Sequence, residues 1–422
     1  MKKKLWLGIM SVALVIALAL NLTGCVAKVK ATDLMDGIRP ENGEGLAPDE
    51  AFCNSQMEFA LALLRGTADQ SREENLLISP LSVELALAMT ANGAAGQTRR
   101  EMECLLGGDI PLEQLNGYLY SYSNSLTDDK NSNLKIANSI WFRDDEQRLQ
   151  VEEKFLQTNG TYYGAQAYKA PFDEQTLLDI NTWVSEHTDN MIDRVLEEIK
   201  ADAVLYLINA LAFEAKWETP YEASDVWQWS FHTYDGQEIW IDTMHSDERM
   251  YLESENATGF IKEYKDGNYA FAALLPNEGI DIYDYVNSLT SAELMDLLNK
   301  PEYAKLSVGI PKFTFDYALS LNETLKAMGM ETPFDGQEAD FSSMAHSANG
   351  NLYIGDVFHK THISVDEAGT KAAAVTIVEI VEECAVEYEG YSVILDRPFV
   401  FMILDRNTNL PVFMGIVLNP AA

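Results

Sequence analysis

The side chains that most often perform catalysis or bind metals are scattered along this sequence. Its 422 residues include six histidines and four cysteines. The chain contains no HExxH or CxxC motif, and it also lacks the Walker and GxGxxG motifs of nucleotide-binding sites. His359 and His362 are three residues apart, but the neighbouring Phe358, Ile363 and Val365 indicate a strand. Residues three apart in a strand point to opposite faces. We therefore expect no metal site, no cofactor and no enzyme activity.

The segment from Ile363 to Glu383 carries the most distinctive pattern in the chain. A predicted strand reaches Glu367, Gly369 permits a bend, and the residues Thr370–Ala374 are small apart from Lys371. If the segment is a strand, its side chains alternate between two faces, and one face has no charge. That face consists of Thr370, Ala372, Ala374, Thr376, Val378 and Ile380. The opposite face begins with Lys371 and Ala373. Such a segment could enter the interior of a sheet, and an ordinary hairpin at a sheet edge is the alternative.

The N-terminus has the features of a secretion signal. Lys2–Lys4 precede an apolar run from Leu5 to Leu20, which is shorter than the roughly 20 residues of a membrane-spanning helix. The next four residues, Leu22–Cys25, resemble a bacterial lipobox, in which lipid is attached to the cysteine sulfur. Two acyl chains hold a protein stably on a membrane. We therefore expect 1–24 to be a lipoprotein signal peptide and Cys25 to be lipidated, with secretion without lipid as the alternative.

One large domain is expected after this signal. Residues 25–49 lack periodicity and contain two prolines and three glycines, which favours a flexible tether. No second linker, repeat or low-complexity tract follows, so 50–422 are predicted to form the single domain.

The charge of the chain limits its partners. It has 30 lysines and arginines against 66 aspartates and glutamates, a formal net charge of −36. Phosphate binding needs basic surfaces, so nucleic-acid binding is not expected. An acidic surface suits an extracellular protein, and we expect this one to be anchored to the outer face of a bacterial cell membrane.

The domain combines predicted helices and strands. Apolar periodicity predicts a helix over 54–65, and Ser79 with Pro80 forms a helix start in which serine caps and proline occupies the first turn. Ile180, Val184, Met191 and Val195 fit one further helical face. Strand patterns cover 205–213, 270–275, 400–404 and 411–418. Helices dominate the first half and strands the second, which favours the α+β class.

The sequence resembles the serpin family over about 50–422. The matching blocks occur in the family's order and carry its typical residues. They are 75–82 (NLLISPLS), 93–98 (GAAGQT), 137–142 (ANSIWF), 163–165 (YGA), 180–184 (INTWV), 207–218 (LINALAFEAKWE), 311–313 (PKF), 328–330 (MGM), 367–370 (EAGT), 397–399 (RPF) and 413–415 (FMG). The resemblance implies a large, mostly antiparallel central sheet with further sheets, eight to nine helices and an exposed reactive-centre loop.

The resemblance also implies a mechanism. A serine protease attacks the loop and forms an acyl-enzyme. The hinge strand then inserts into the central sheet, and the protease is trapped in a covalent complex, as loop insertion in serpins releases stored strain. The hinge residues implied are Glu367, Gly369, Thr370, Ala372, Ala373 and Ala374. The shutter residues implied, which control opening of the sheet, are Ser79, Ser82, Asn209 and His359.

Three residues depart from the family pattern. Ala368 stands where inhibitory members usually have a charged side chain, and Ala215 where glycine is usual. Val375 is bulkier than the usual small residue but falls on the outward face. A non-inhibitory serpin that is cleaved as a substrate is therefore the alternative function.

The predicted scissile bond lies in the small, apolar part of the loop. The family spacing from Glu367 places the bond between Glu383 and Cys384, but the loop is longer than in common inhibitory members. Ala385 and Val386 therefore also remain candidates. Small side chains suit the shallow primary pocket of elastase-like or subtilisin-like proteases. A cut after Glu383 would suit a Glu-specific protease, and a cysteine protease is a further alternative target.

The expected partners follow from this mechanism. They are a serine protease, bound covalently, and a membrane, bound through lipid on Cys25, and the protein itself is expected to be a monomer. A solute-binding lipoprotein would need a ligand cleft between two lobes, for which the serpin blocks leave no room.

Overall fold

The computed structural model describes residues 29–40, 43–127, 134–145, 149–192, 194–201, 203–265, 267–348, 350–370 and 390–422. The predicted signal peptide with Cys25 lies outside the described residues. So do residues 371–389, which include the hinge residues Ala372, Ala373 and Ala374 and the candidates Glu383, Cys384, Ala385 and Val386. Within the described ranges, no helix is both long and apolar enough to cross a membrane.

The described residues form nine α-helices and two short 3-10 turns. The helices are α1 (Glu50–Gln70), α2 (Pro80–Ala91), α3 (Gly96–Gly107), α4 (Leu112–Thr127), α5 (Glu153–Tyr163), α6 (Glu174–His187), α7 (Ile282–Ser288), α8 (Ser291–Asn299) and α9 (Asn322–Ala327). The 3-10 turns are Ala223–Asp225 and Thr332–Phe334.

Nineteen strands are formed by the same residues. They are β1 (Thr32–Asp33), β2 (Leu76–Ile78), β3 (Lys135–Arg143), β4 (Leu149–Val151), β5 (Gln166–Ala170), β6 (Leu205–Ala212), β7 (Ala215–Lys216), β8 (Val226–His232), β9 (Glu238–Glu253), β10 (Ala257–Glu263), β11 (Tyr269–Pro276), β12 (Glu302–Pro311), β13 (Phe313–Ser320), β14 (Ala345–Ser347), β15 (Phe358–Val365), β16 (Gly369–Thr370), β17 (Tyr391–Ile394), β18 (Phe399–Asp405) and β19 (Pro411–Val417).

Three larger sheets organise these strands. Sheet 1 has the order β1-β5-β3-β6, and sheet 2 has the order β13-β15-β16-β7. Sheet 3 has nine strands in the order β17-β12-β9-β10-β11-β18-β19-β2, with β8 paired to β9. Most pairs are antiparallel, and β3 with β5 and β12 with β17 are parallel. The α+β prediction is confirmed.

Helix α2 lies in the interior of the molecule, in contact with β6 of sheet 1 and β19 of sheet 3. Every residue of this helix except Ala86 is buried. Its sequence, PLSVELALAMTA, has no polar stripe, which is typical of a helix covered on all sides. Ser79 caps the helix by accepting the Ser82 N–H at 3.3 Å, and Pro80 occupies the first turn. The predicted helix start is confirmed.

The predicted helix through Ile180 and Val195 is wrong in its second half. Helix α6 ends at His187, and Asp189 and Asn190 have left-handed backbone angles, with φ of 51° and 61°. Asparagine and aspartate tolerate this conformation better than most residues, and it ends a helix. Val195 is still packed beside Ile180, but not on the same helix.

The predicted tether is also wrong for its described part. Asp179 on α6 accepts the backbone N–H groups of Lys30 and Ala31, and β1 pairs with β5. Farther along, the Leu46 N–H donates to the Gly117 carbonyl at 3.0 Å. The segment is held by backbone bonds and scattered apolar contacts, so its sequence has no periodicity to reveal that it packs on the domain.

Two cysteines lie within the described residues. Cys53 on α1 and Cys104 on α3 are both free thiols and are not joined by a disulfide.

Candidate functional site

The hinge begins with a tight turn at the end of β15. Backbone bonds join Asp366 and Gly369 in both directions, at 3.0 and 3.3 Å. The Asp366 carboxylate accepts the N–H groups of Ala368 at 2.8 Å and Gly369 at 3.3 Å. An aspartate that binds its own following backbone is a common way to stabilise such a turn.

Glycine is required at position 369 by the close approach of two backbones. Gly369 has φ +154°, and a Cβ there would lie 2.0 Å from the Ala215 carbonyl oxygen. Any other residue would push the hinge away from β7. The bend that the sequence predicts at Gly369 is therefore confirmed, and the reason is steric.

The two residues of β16 lie between two other strands. Thr370 pairs with Val365 of β15 and with Ala215 of β7, and Gly369 pairs with Lys216. The Thr370 hydroxyl, on a residue that is 3% exposed, bonds the Tyr264 hydroxyl. The hairpin at a sheet edge is excluded for these residues, because β16 lies inside sheet 2.

A short loop after β7 holds the hinge through its backbone. The Trp217 N–H donates to the Ala368 carbonyl and the Tyr221 N–H to the Glu367 carbonyl, each at 3.0 Å. The Trp217 indole donates to the Asp366 carbonyl at 2.8 Å. Glu367 also forms an ion pair of 2.7 Å with Lys312.

The four predicted shutter residues come together at the start of α2. The Ser79 N–H donates to Nε2 of His359 on β15 at 3.0 Å, and its hydroxyl to the Val412 carbonyl at 2.8 Å. The Ser82 hydroxyl donates to Oδ1 of Asn209 on β6. One helix start therefore binds the facing strands of sheets 1 and 2.

The His359 ring is neutral in this setting. Its Nε2 accepts a backbone N–H, and the residue is 6% exposed. Burial lowers the pKa of His359 to about 4, because desolvation disfavours the charged imidazolium.

Strands β6 and β15 face one another without pairing. No pairing in the described part of the chain joins them. A small cavity of about 30 Å³ lies between them, next to Thr370 and lined by residues such as Leu211, Ile363 and Phe413. Met191 and Ile192, in the segment after α6, also line it. The chain that follows Thr370 would occupy this gap if the hinge strand continued into the sheet.

The two unusual residues near the hinge have different surroundings. Ala368 is exposed, and its contacts to Asp366 and Trp217 are made by its backbone. The missing charged side chain therefore changes none of the hydrogen bonds that hold the hinge. Ala215 is 3% exposed and pairs with Thr370 through its backbone.

Four contributing residues carried no role in the sequence analysis. Asn138 on β3 accepts the Asn209 amide at 2.7 Å, and the Thr361 hydroxyl donates to the Leu77 carbonyl at 2.8 Å. Lys312 and Tyr264 fix the hinge. Lys312 and Asn138 lie within matching blocks, which could have pointed to them, whereas Tyr264 and Thr361 gave no signal. Among the described residues no three His, Cys, Asp or Glu side chains could hold a metal ion. His359 and His362 lie on β15, where the first binds Ser79 and the second Asp316.

Comparisons with known proteins agree with this arrangement. Residues 54–420 match the family model described as serpin, a serine protease inhibitor. Neuroserpin of Gallus gallus is 29% identical over 393 residues, which cover 89% of this chain and 92% of that protein. The native-state crystal structure of tengpin, a thermophilic serpin, is 44% identical with a TM-score of 0.86, and covers 93% of this chain and 100% of its own. The latent-state structure of tengpin is 43% identical with a TM-score of 0.78, covering 90% and 100%. The chain belongs to the serpin family.

Proposed function

We propose that this protein is a suicide inhibitor of extracellular serine proteases of the elastase-like or subtilisin-like type. The observation that carries the proposal is the position of β16. Gly369 and Thr370 lie between β15 and β7, directly above the unpaired gap between β6 and β15. The loop therefore starts next to the gap into which it would insert.

The proposed reaction begins as ordinary proteolysis. The target's serine attacks a carbonyl carbon of the loop, the peptide bond breaks, and the leaving amine takes the proton from the protease's general base. Water would complete the reaction by hydrolysing the acyl-enzyme. Insertion of the residues that follow Thr370 between β6 and β15 carries the protease away before this step.

Loop insertion is driven by the formation of a new strand. Inserting about 14 residues adds on the order of 10 ladder hydrogen bonds, at roughly 1 kcal/mol net each. Burial of Val378 and Ile380 adds about 1.5–3 kcal/mol for each side chain. This total is comparable with the stability of a whole domain. The form with the loop outside the sheet is therefore held kinetically.

The shutter contacts supply that kinetic barrier in our proposal. Separation of β6 from β15 requires Ser79 to release His359 or Ser82 to release Asn209. Both contacts are largely buried, so breaking them before water enters leaves polar groups unpaired. The released groups bind water or the inserted strand once the sheet has opened.

Target choice follows from the residues near the proposed scissile bond. Cys384, Ala385 and Val386 are small, and 382–390 contain no lysine or arginine. A shallow primary pocket accepts such side chains, whereas a trypsin-like pocket requires a basic one.

We also propose that Cys25 carries lipid and holds the inhibitor at the outer face of a bacterial cell membrane. The support is the lipobox-like LTGC at 22–25 after an apolar run. Expression in a bacterial host with radioactive palmitate should label the protein, and Cys25→Ser should abolish the label. Recovery of the intact protein entirely in the soluble fraction would contradict the anchor.

A panel of proteases tests inhibition and target class together. The protein is mixed with an elastase, subtilisin, trypsin and a Glu-specific protease, and each mixture is run on a denaturing gel. We expect a band at the summed mass with elastase or subtilisin, and mass spectrometry should detect a C-terminal peptide starting at 384, 385, 386 or 387. A complex only with the Glu-specific enzyme would contradict the target class. Cleavage by every protease without a complex would favour the non-inhibitory alternative.

A further inference from the structure

A second cavity, of about 490 Å³, lies beside the hinge but outside the gap between β6 and β15. We call it the Trp227 cavity. Its walls are the loop Glu218–Tyr221, the 3-10 turn that ends at Asp225, and parts of β8, β9, β10 and β12. Its size is that of a typical small-molecule site.

Carboxylates dominate the charge of the Trp227 cavity. Five acidic residues line it against one basic residue, Lys262. Lys262 is already paired with Glu248 on β9. Glu218, Asp225 and Glu263 form no ion pair with any residue that the structure describes. The cavity therefore has an excess of negative charge that a bound cation would neutralise.

The same cavity has aromatic walls that suit a cation. Tyr221, which lines the cavity, already contacts a cation: the Lys262 ammonium lies 4.7 Å from the centre of its ring. One face of the Trp227 indole lies parallel to the His245 ring, with centroids 3.8 Å apart. Trp227 lines the cavity and is 40% exposed. Burial lowers the pKa of His245 to about 4, so near neutral pH this ring adds no positive charge.

We propose that the Trp227 cavity binds a guanidinium group. Guanidinium is planar and weakly hydrated, so it stacks on an indole face more readily than an ammonium does. Its N–H groups can donate two parallel hydrogen bonds to one carboxylate. The Trp227 indole provides the stacking surface, and Glu218 and Asp225 provide the carboxylates. The source is either an arginine side chain of another protein or a free guanidino compound.

The location of the cavity connects its occupancy to the hinge. Tyr221, in its wall, donates its backbone N–H to the Glu367 carbonyl at 3.0 Å. A ligand that fixes Glu218–Tyr221 stabilises the form in which the hinge is held. Binding of a guanidinium group in this cavity does not depend on whether the loop traps a protease.

The indole N–H signals of the purified full-length protein provide the test. The protein is labelled with ¹⁵N and titrated with N-acetylarginine amide, and Trp227 is assigned by its loss in Trp227→Phe. We expect a saturable shift of the Trp227 signal, and no comparable shift of Trp240, which is 66% exposed on β9 outside the cavity. The neutral isostere N-acetylcitrulline amide should bind at least ten-fold more weakly.

A charge variant and two ligand sources complete the test. Glu218→Gln combined with Asp225→Asn should weaken arginine binding at least ten-fold, with the other indole signals unchanged as evidence of folding. Glu302→Gln, an exposed acid on β12 outside the cavity, is the matched control. Tighter binding of a blocked Gly-Arg-Gly peptide than of agmatine would assign the site to a protein partner, and the reverse to a free compound. Equal binding of the citrulline amide, or unchanged binding by the double variant, would overturn the proposal.

Discussion

At the residue scale, the contact of helix α2 with sheets 1 and 2 depends on a few buried polar side chains. Ser79 binds His359 of sheet 2, and Ser82 binds Asn209 of sheet 1. Hydrogen bonds of this kind contribute about 1 kcal/mol each, but a buried group left without its partner costs about 1–3 kcal/mol. Of these four residues only His359 is titratable, so these contacts are sensitive to the protonation of its ring.

Acid should weaken the native protein through His359. The folded-state pKa of about 4 lies below the ordinary value near 6.5, so the unfolded chain takes up the proton first as the pH falls. Stability is complete above about pH 6.5 and decreases toward pH 4, by about 2 kcal/mol at pH 5. We expect the urea midpoint to fall over this range, and to fall less in His359→Gln.

His232→Gln is the matched control, since His232 is exposed on β8. It should retain the full acid dependence of the wild-type protein. An acid dependence of His359→Gln equal to that of wild type would show that His359 does not carry the effect.

Glu84 should have the opposite pH dependence. It is 2% exposed on α2, and its Oε1 has no hydrogen-bond partner among the described residues. Burial raises its pKa well above the usual value, so the folded protein holds the proton and stability decreases as the pH rises above about 4.5. Glu84→Gln removes this dependence, and its urea midpoint should exceed that of wild type at pH 8.

The control for this prediction is Glu58→Gln, at an exposed position of α1, which should leave the urea midpoint unchanged. Equal midpoints for Glu84→Gln and wild type at every pH from 5 to 9 would refute the role of Glu84.

At the element scale, helix α6 anchors the N-terminal segment. The Asp179 carboxylate accepts the backbone N–H groups of Lys30 and Ala31 at 2.9 and 3.1 Å. Asp179→Ala leaves these donors without that acceptor and should lower stability by about 1–3 kcal/mol. Leu178→Ala, at a neighbouring site that is 61% exposed, should change it by less than about 0.5 kcal/mol. Chemical denaturation measures both, and equal effects of the two substitutions would contradict the anchoring role.

The helices and strands with regular apolar patterns could be predicted from the sequence, whereas irregular segments could not. Helix α2 was found from Ser79 and Pro80, and β11 and β18 from apolar runs at 270–275 and 400–404. Helix α6 was predicted too long. It ends at His187, and the left-handed residues Asp189 and Asn190 follow, but Met191 and Val195 continue its apolar spacing in the sequence. The N-terminal segment packs through backbone hydrogen bonds, which leave no side-chain pattern.

At the scale of the whole molecule, the described residues share a large core and include two facing strands, β6 and β15, that are not paired with each other. Sheets 1 and 2 meet along β6 and β15 without pairing there in the described residues. The fold and the grouping of Ser79, Ser82, Asn209 and His359 were predicted through family resemblance. The contacts of Tyr264 and Lys312 with the hinge were not, because they depend on which strands the fold brings together.

The most direct test of the proposed trapping mechanism compares two hinge substitutions. Thr370 is 3% exposed beside Tyr264, whereas Ala368 is exposed. An arginine at position 370 would place a charge inside sheet 2, where the inserted strand would begin, and one at 368 would remain in solvent. We expect wild type and Ala368→Arg to form a denaturation-resistant complex with the protease that cleaves the loop. Thr370→Arg should be cleaved with at least a ten-fold loss of complex. Complex formation by Thr370→Arg at the wild-type yield, or cleavage of wild type without any complex, would contradict inhibition by loop insertion.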